Sequence, residues 1–323
     1  MKKLSLLIPI YNGAKYIDGL MNNILNQITP MIEKDIEVLL INDGSKDNSF
    51  SMLKEYSARY PDILKIETQE NEGIGITRNR MLSLASGMFV WYIDQDDFIE
   101  KNILQEIIPI IEEKYDLINI GHTQISTSNE IIEEYLPKEK RYVSGLQMVK
   151  EGYRNNALWD KIINKKFLLK NNLSFGKYNG MDDFFLSFCL MAKCTEIKTI
   201  HKTGYYHIVN PKSYSQDLTE KVRIDWAEGS YSLGNEIYTY VSSKSKYEQD
   251  ILNIWFSLWL LGFIYSLVNY KYSDNYDLKM LERLKKCKLY PIKPQMRSKR
   301  LHLVTYILNN SLGYRISKFF LTN

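Results

Sequence analysis

This 323-residue chain has little that could staple a fold from outside its core. It holds three cysteines, Cys189, Cys194 and Cys287, with no Cys-x-x-Cys spacing. They cannot all pair, which excludes a disulfide framework and points to a reduced, cytoplasmic compartment. Eight prolines and sixteen glycines are too few for a disordered chain. No internal repeat or low-complexity linker interrupts it. The opening apolar run of MKKLSLLIPIYN stops at Pro9, too short for a signal peptide, and reads as a first strand. No nucleic-acid motif is recognisable, so no nucleic-acid partner is expected.

What is present suits one large α/β domain with an appendage. Hydrophobic residues make up 45% and charged residues 25%. Tyrosine is high at 24 residues. Tyrosine suits carbohydrate surfaces, since its ring stacks while its hydroxyl bonds; a bias that also raises Ile, Asn and Lys would give the same count. The net charge of +4 is uneven. From Lys271 onward twelve Lys or Arg face three Asp or Glu, a net of +9, leaving −5 on the rest. A basic tail behind an acidic body predicts contact with an anionic membrane.

Five segments read as strands: KLSLLIPI, IEVLLIN, LKIET, MFVWYID and DLINIG. Helical patterns starting near Ala14, Asp47, Ile74 and Lys101 lie between them. Such interleaving predicts a parallel sheet covered on both faces, with ligands beyond the carboxyl ends of the strands. The polar residues fall there: Tyr11 and Asn12 after the first strand, Asp43 after the second, Asn71 after the third, Asp94 and Asp96 after the fourth. IKTIHKTGYYHIV reads as a further strand and MDDFFLSFCLMAK as a helix; beyond about residue 218 the chain reads as helical. Twenty uncharged residues, 251–270, could span a bilayer by length, but their polar and Trp/Tyr content favours a buried or interfacial helix.

Three clusters carry chemistry. IDQDDF crowds Asp94, Asp96 and Asp97 at a strand end, which is costly unless a cation compensates. An Asp-x-Asp pair can hold Mg²⁺ or Mn²⁺ and leave positions open for diphosphate oxygens. Asp97 also reads as a helix-start residue. In NDGSKDNS, Asp43 could accept from a base or ribose, with Gly44 allowing the turn. In NEGIGITRNRM, Gly73 and Gly75 could admit a ligand to the backbone, and Arg78 one turn into the helix could bind phosphate. The glycine spacing is not the dinucleotide fingerprint.

SLLIPIYN, NDGSKDNS, NEGIGITRNRMLSLASG and WYIDQDD together resemble the inverting family 2 glycosyltransferases with a GT-A fold, in order and spacing over roughly residues 1–100. Looser similarity in ALWDKIINKKFLLKNNLSF carries it to about 215 and resembles bacterial capsule and cell-wall transferases. The resemblance implies a Rossmann-like, mostly parallel sheet flanked by helices over 1–215; the helical pattern and the positive charge beyond it add a basic helical region over 216–323. It implies that Pro9, Tyr11 and Asn12 line the nucleotide site. Asp43 would bind uracil, Asn71 and Arg78 would border pyrimidine and phosphates, Asp94 would touch ribose and Asp96 would ligate Mn²⁺ or Mg²⁺. The family's base lies in a Glu-Asp pair opening a helix. GMDDFF places Asp183 at the base and Asp182 where Glu is usual. A base must take the acceptor proton as its hydroxyl attacks the anomeric carbon.

GYYHIVNPKSYSQ resembles the family segment near the diphosphate, with Ile208 where an arginine is expected. His207, Lys212 and Ser213 are its polar candidates; His207 reads as a metal ligand, a diphosphate contact or a structural histidine. Trp159 and Asp160 are expected to shape the acceptor site, with core filling the other reading of Trp159. The expected reaction moves a hexose from a UDP-sugar to a saccharide acceptor, a lipid-linked oligosaccharide, at the inner membrane face. The basic tail and apolar helix motivate that place, and the C-terminal helices are also where a homo-oligomer would form. The rivals are a sugar-1-phosphate nucleotidyltransferase, which PIYNGAKY fails for want of an arginine, and a non-catalytic sugar-nucleotide binder or assembly partner with a degenerate site.

Overall fold

The apolar runs become strands wherever both faces can be covered. β1 (Leu4–Ile10) and β2 (Ile36–Asp43) are buried along their whole length. β3 (Leu64–Gln69) is half-buried, β4 (Phe89–Tyr92) is buried, and β5 (Phe98–Ile99) is a two-residue strand. Then come β6 (Leu117–Ser126), β7 (Ile131–Tyr135), β8 (Lys140–Tyr142), β9 (Lys161–Asn164) and β10 (Ile197–Val209). The computed structural model describes residues 2–112, 114–176, 181–210, 219–292 and 299–322.

The strand order is β3-β2-β1-β4-β9-β6-β10-β5, with β7 beside β6 and β8 beside β10. β3, β2, β1 and β4 run parallel, as do β6 and β10. β9 is antiparallel to both β4 and β6, so the sheet is mostly parallel but mixed. The chain goes from β1 outward to β3, then returns to lay β4 on the other side of β1. That reversal leaves a crevice beyond the carboxyl ends of β1 and β4, where such sheets bind ligands.

The helices of the sheet region are α1 (Ala14–Leu25), α2 (Ser49–Arg59), α3 (Ile74–Leu84), α4 (Ile103–Ile107), α5 (Gly145–Lys150), α6 (Lys165–Lys170) and α7 (Asp182–Lys193). On α1, Ile17, Leu20, Met21 and Ile24 recur at helical spacing and bury against the sheet. Their core partners include Leu4, Leu6, Ile8 and Ile10 from alternate positions of β1.

Two compact units divide the residues. The first comprises Met1–Gln147, Asn155–Gly176 and Leu186–Gln216; the second comprises Met148–Arg154, Lys177–Phe185 and Asp217–Asn323. The second holds α8 (Glu220–Ser242), α9 (Lys246–Val268), α10 (Tyr276–Lys286), α11 (Lys299–Asn309) and α12 (Ser311–Thr322). A Ser245/Glu248 capping box opens α9. α9 is the one helix among the described residues long and apolar enough to cross a membrane. Its buried residues recur from Ile251 to Val268, the pattern of a core helix.

Candidate active site

Four loops leave the carboxyl ends of β1 to β4, and hydrogen bonds tie them into a closed circuit. Tyr11 N donates to Gln95 Oε1 at 3.0 Å, and Gln95 Nε2 returns a bond to Tyr11 O at 3.1 Å, joining the β1 and β4 exits. Asn12 N donates to Ser45 Oγ at 3.0 Å and Lys46 N to Asn12 Oδ1 at 2.8 Å, joining the β1 and β2 exits. Asn12 sits at φ 47°, a left-handed conformation asparagine tolerates. Gly44 has φ 70°, and a Cβ there would lie 2.7 Å from Asn71 N, so this turn requires glycine.

Asp43 joins the β2 and β3 exits. Its buried carboxylate accepts from Gln69 Nε2 at 2.8 Å, Glu72 N at 3.0 Å and Gly73 N at 3.1 Å. Asp43→Asn would set an amide donor against one of those N–H groups. The unfolding free energy should fall by about 1–3 kcal/mol, the usual consequence of a buried donor losing its acceptor. Urea denaturation, with faster hydrogen exchange at Glu72 and Gly73, is the measurement. Arg78 closes the circuit from α3, donating to Asp94 Oδ1 at 2.7 Å while lying over the Phe175 ring.

The three aspartates of IDQDDF have different surroundings. Asp94 is held by Arg78. Asp97 is buried and accepts from Tyr205 OH at 2.7 Å, Ile208 N at 2.8 Å and His207 Nδ1 at 3.2 Å. It therefore clamps β10 to the β4 exit. This corrects the helix-start reading: β5 follows it, and α4 begins only at Ile103. Asp96 alone makes no hydrogen bond or ion pair with another described residue. Burial, then the charges of Asp97 and Asp94, raise its pKa to about 6.

Those differences decide how a divalent cation would fit. Among the described residues no three His, Cys, Asp or Glu side chains are grouped to hold a metal, so Asp96, Asp94 and His207 do not form a cage. Asp94 is committed to Arg78, and the Nδ1 of His207 to Asp97. The residues still fit a cation bound through Asp96, with diphosphate and water as further ligands.

His207 stacks on Trp159 at 5.5 Å and 13°, and Trp159 stacks on Tyr205 at 5.4 Å and 8°. Burial works against protonation of His207, but Asp97, Asp94 and Asp96 together raise its pKa. Trp159 is thus buried within this stack rather than open to a sugar. Asp160 is fully buried; Lys161 Nζ lies 2.8 Å away and His122 Nδ1 3.6 Å. Burial would raise its pKa, yet Lys161 and His122 hold it down to about 2. A charge sealed beside its counterion cannot bind acceptor hydroxyls, and the acceptor reading of Asp160 is corrected accordingly.

Of the other expected residues, Pro9 is buried inside β1, paired with Ile41, and offers no surface to a nucleotide. Tyr11, Asn12 and Asn71 are exposed at the strand ends. Lys212 and Ser213 lie outside the described residues. Asp182 and Asp183 belong to the second unit, where they open α7 with Asp182 buried and Asp183 half-buried. Phe184 fixes that first turn, stacking on Trp259 at 5.1 Å and meeting Trp255 edge-on. The sequence reading missed Gln95, whose amide spans two loops, and Tyr205, whose hydroxyl accepts from Asp94 N at 3.0 Å. Only their places inside IDQDDF and GYYH signal them.

A mostly parallel mixed sheet, flanked by helices and carrying Asp-x-Asp at the β4 exit, defines a GT-A glycosyltransferase. Residues 5–170 match Glycosyl transferase family 2, and the chain belongs to that family. It is 29% identical over 192 residues to the cholesterol galactosyltransferase of Borreliella burgdorferi, covering 53% of this chain and 50% of that one. It spans 64% and 32% of the lengths of two further bacterial relatives. Its fold is similar to S. aureus TarS in complex with UDP-GlcNAc, with TM-score 0.69 and 20% identity over 98% of this chain and 90% of that one. It is also similar to the mannosyltransferase PcManGT of Pyrobaculum calidifontis in complex with GDP-Man and Mn²⁺, with TM-score 0.55 and 14% identity over 98% and 87%.

Proposed function

We propose that this glycosyltransferase moves a hexose from a UDP-sugar to a saccharide hydroxyl with inversion at the anomeric carbon. The observation that carries this reading is Asp96: a crowded carboxylate with no hydrogen bond or ion pair to another described residue, beside a circuit of hydrogen-bonded loops. A divalent cation at Asp96 would neutralise the departing diphosphate. Tyr11, Asn12 and Asn71 present the accessible surface for the nucleotide, and Asp43 acts by holding residues 71–73 in place. Asp94 is the ribose candidate, oriented by Arg78. His207, set by Asp97 and Trp159, is a donor for the diphosphate. Asp183 is the base. The UDP-GlcNAc bound by TarS and the Mn²⁺ bound by PcManGT support the donor and metal classes.

The acceptor in this reading is a lipid-linked oligosaccharide of surface-polysaccharide assembly, and the enzyme works at the inner membrane face through its basic C-terminal region. In this reading a GT-A domain spans 1–215 and a helical region 216–323, although 148–154 and 177–185 group with the second compact unit. A thermal-shift screen of UDP- and GDP-sugars with and without Mn²⁺, paired with assay of UDP release, tests the reading. UDP with Mn²⁺ should stabilise most, since a ligand at 100 times its Kd adds about 2.7 kcal/mol. Equal shifts for UDP in EDTA and in Mn²⁺ would remove the metal bridge. Preference for GDP would change the donor. Binding without turnover would leave a sugar-nucleotide binder.

A further inference from the structure

The C-terminal helices carry an apolar stripe that their own fold does not use. On α11, Thr305 and Leu308 are buried, with Leu308 3% exposed. The opposite face shows Leu303 at 60%, Tyr306 at 72% and Ile307 at 37% exposure. The spacing of i, i+3 and i+4 puts all three on one side of the helix. α12 adds Ile316, 48% exposed, beside exposed Arg315.

This is a held surface rather than a fraying end. Tyr290 OH donates to Leu308 O at 2.6 Å. Asn309 exchanges two bonds with the Ile292 backbone, at 2.8 and 2.7 Å. Tyr314 OH bonds Asp277 at 3.1 Å, and Lys318 pairs with the same carboxylate. Single exposed apolar residues need no explanation, but a fixed stripe of them does.

We propose that the Leu303–Tyr306–Ile307 face of α11, with Ile316 and Arg315 of α12, docks into an anionic lipid surface. Charge selects this occupant. The region from Lys271 carries +9, so two copies would repel, whereas anionic headgroups attract it. The apolar stripe suits lipid rather than nucleic acid, and Tyr306 suits the headgroup boundary. The proposal deepens the membrane placement above and rests on it, but not on the identity of the donor.

The test is sedimentation of the full chain with vesicles of phosphatidylcholine, with and without phosphatidylglycerol. UDP release without acceptor is assayed in parallel. Wild type should partition onto the anionic vesicles and be released by salt. Leu303→Ser with Tyr306→Ser should weaken partition at least about tenfold, given the apolar surface removed. Arg315→Glu should weaken it by a smaller factor, and UDP release should hold in both variants. Unchanged partition of the double variant would overturn the proposal. So would equal binding to neutral vesicles, or a lipid-free dimer that the double variant dissociates. Loss of UDP release in wild type would instead count against the donor reading and leave the vesicle result standing.

Discussion

Asp96→Asn should abolish sugar transfer and, in metal-free buffer near neutral pH, raise the melting temperature. Both effects come from one carboxylate. Burial and the charges of Asp97 and Asp94 raise its pKa from the usual 3.8 to about 6 in the folded chain. The folded state therefore holds this proton more tightly than the unfolded state. Stability falls as pH rises from about 4 to about 6, and the full penalty persists above that. A two-unit shift corresponds to at most about 3 kcal/mol, and partial solvent access reduces it to about 1–3 kcal/mol. Asparagine carries no charge and escapes the penalty, so the variant should melt a few degrees higher at pH 7 and about equally at pH 4. Turnover should fall by about 10²–10³-fold or more, the scale for losing a group that stabilises developing charge. Mn²⁺ should stabilise the wild type and not the variant. Melting curves from pH 4 to 8, with and without Mn²⁺, make the comparison. A variant that melts lower at pH 7, or keeps its turnover, would overturn the assignment of Asp96 as the carboxylate that binds the cation.

The parallel half of the fold could be read from the sequence because its strands are apolar without interruption. β1, β2 and β4 are buried on both faces, so their runs stand out, and the polar residues that follow them land at the sheet's carboxyl edge. β9 could not be read. Four residues, Lys161–Asn164, slip antiparallel between β4 and β6 and run straight into α6, so no period develops. β7 hid because Ile131 and Ile132 are exposed and alternate with nothing. At the site, residue types were legible but partners were not. Asp94, Asp96 and Asp97 look alike in a string; only the fold gives the first to Arg78, the third to β10 and leaves the second alone. Asp160 reads from the sequence as an acceptor-site carboxylate, because nothing local shows what Lys161 and His122 do to it. Asp160 and Lys161 are in fact sealed together, which tertiary packing decides and local sequence does not.

Asp183→Asn should collapse kcat while leaving UDP-sugar and Mn²⁺ affinity nearly intact. A general base contributes about 10²–10⁴ in rate and little to ground-state binding. α7 begins at Asp182, and neighbouring helical residues point about 100° apart, so the two carboxylates face different ways. Asp182 is buried and Asp183 half-buried, which favours the second as the group that meets an acceptor. Phe184, packed on Trp259 and Trp255, holds this turn and would keep Asp183 in one orientation. Asp182→Asn should then lower stability more and kcat less. The separating measurement is kcat for each variant beside donor Kd from calorimetry. If Asp182→Asn is dead and Asp183→Asn active, the roles exchange. If both remain active the base lies elsewhere, and Asp160 does not supply it: a carboxylate sealed against Lys161 with a pKa of about 2 is neither basic enough nor open to an acceptor.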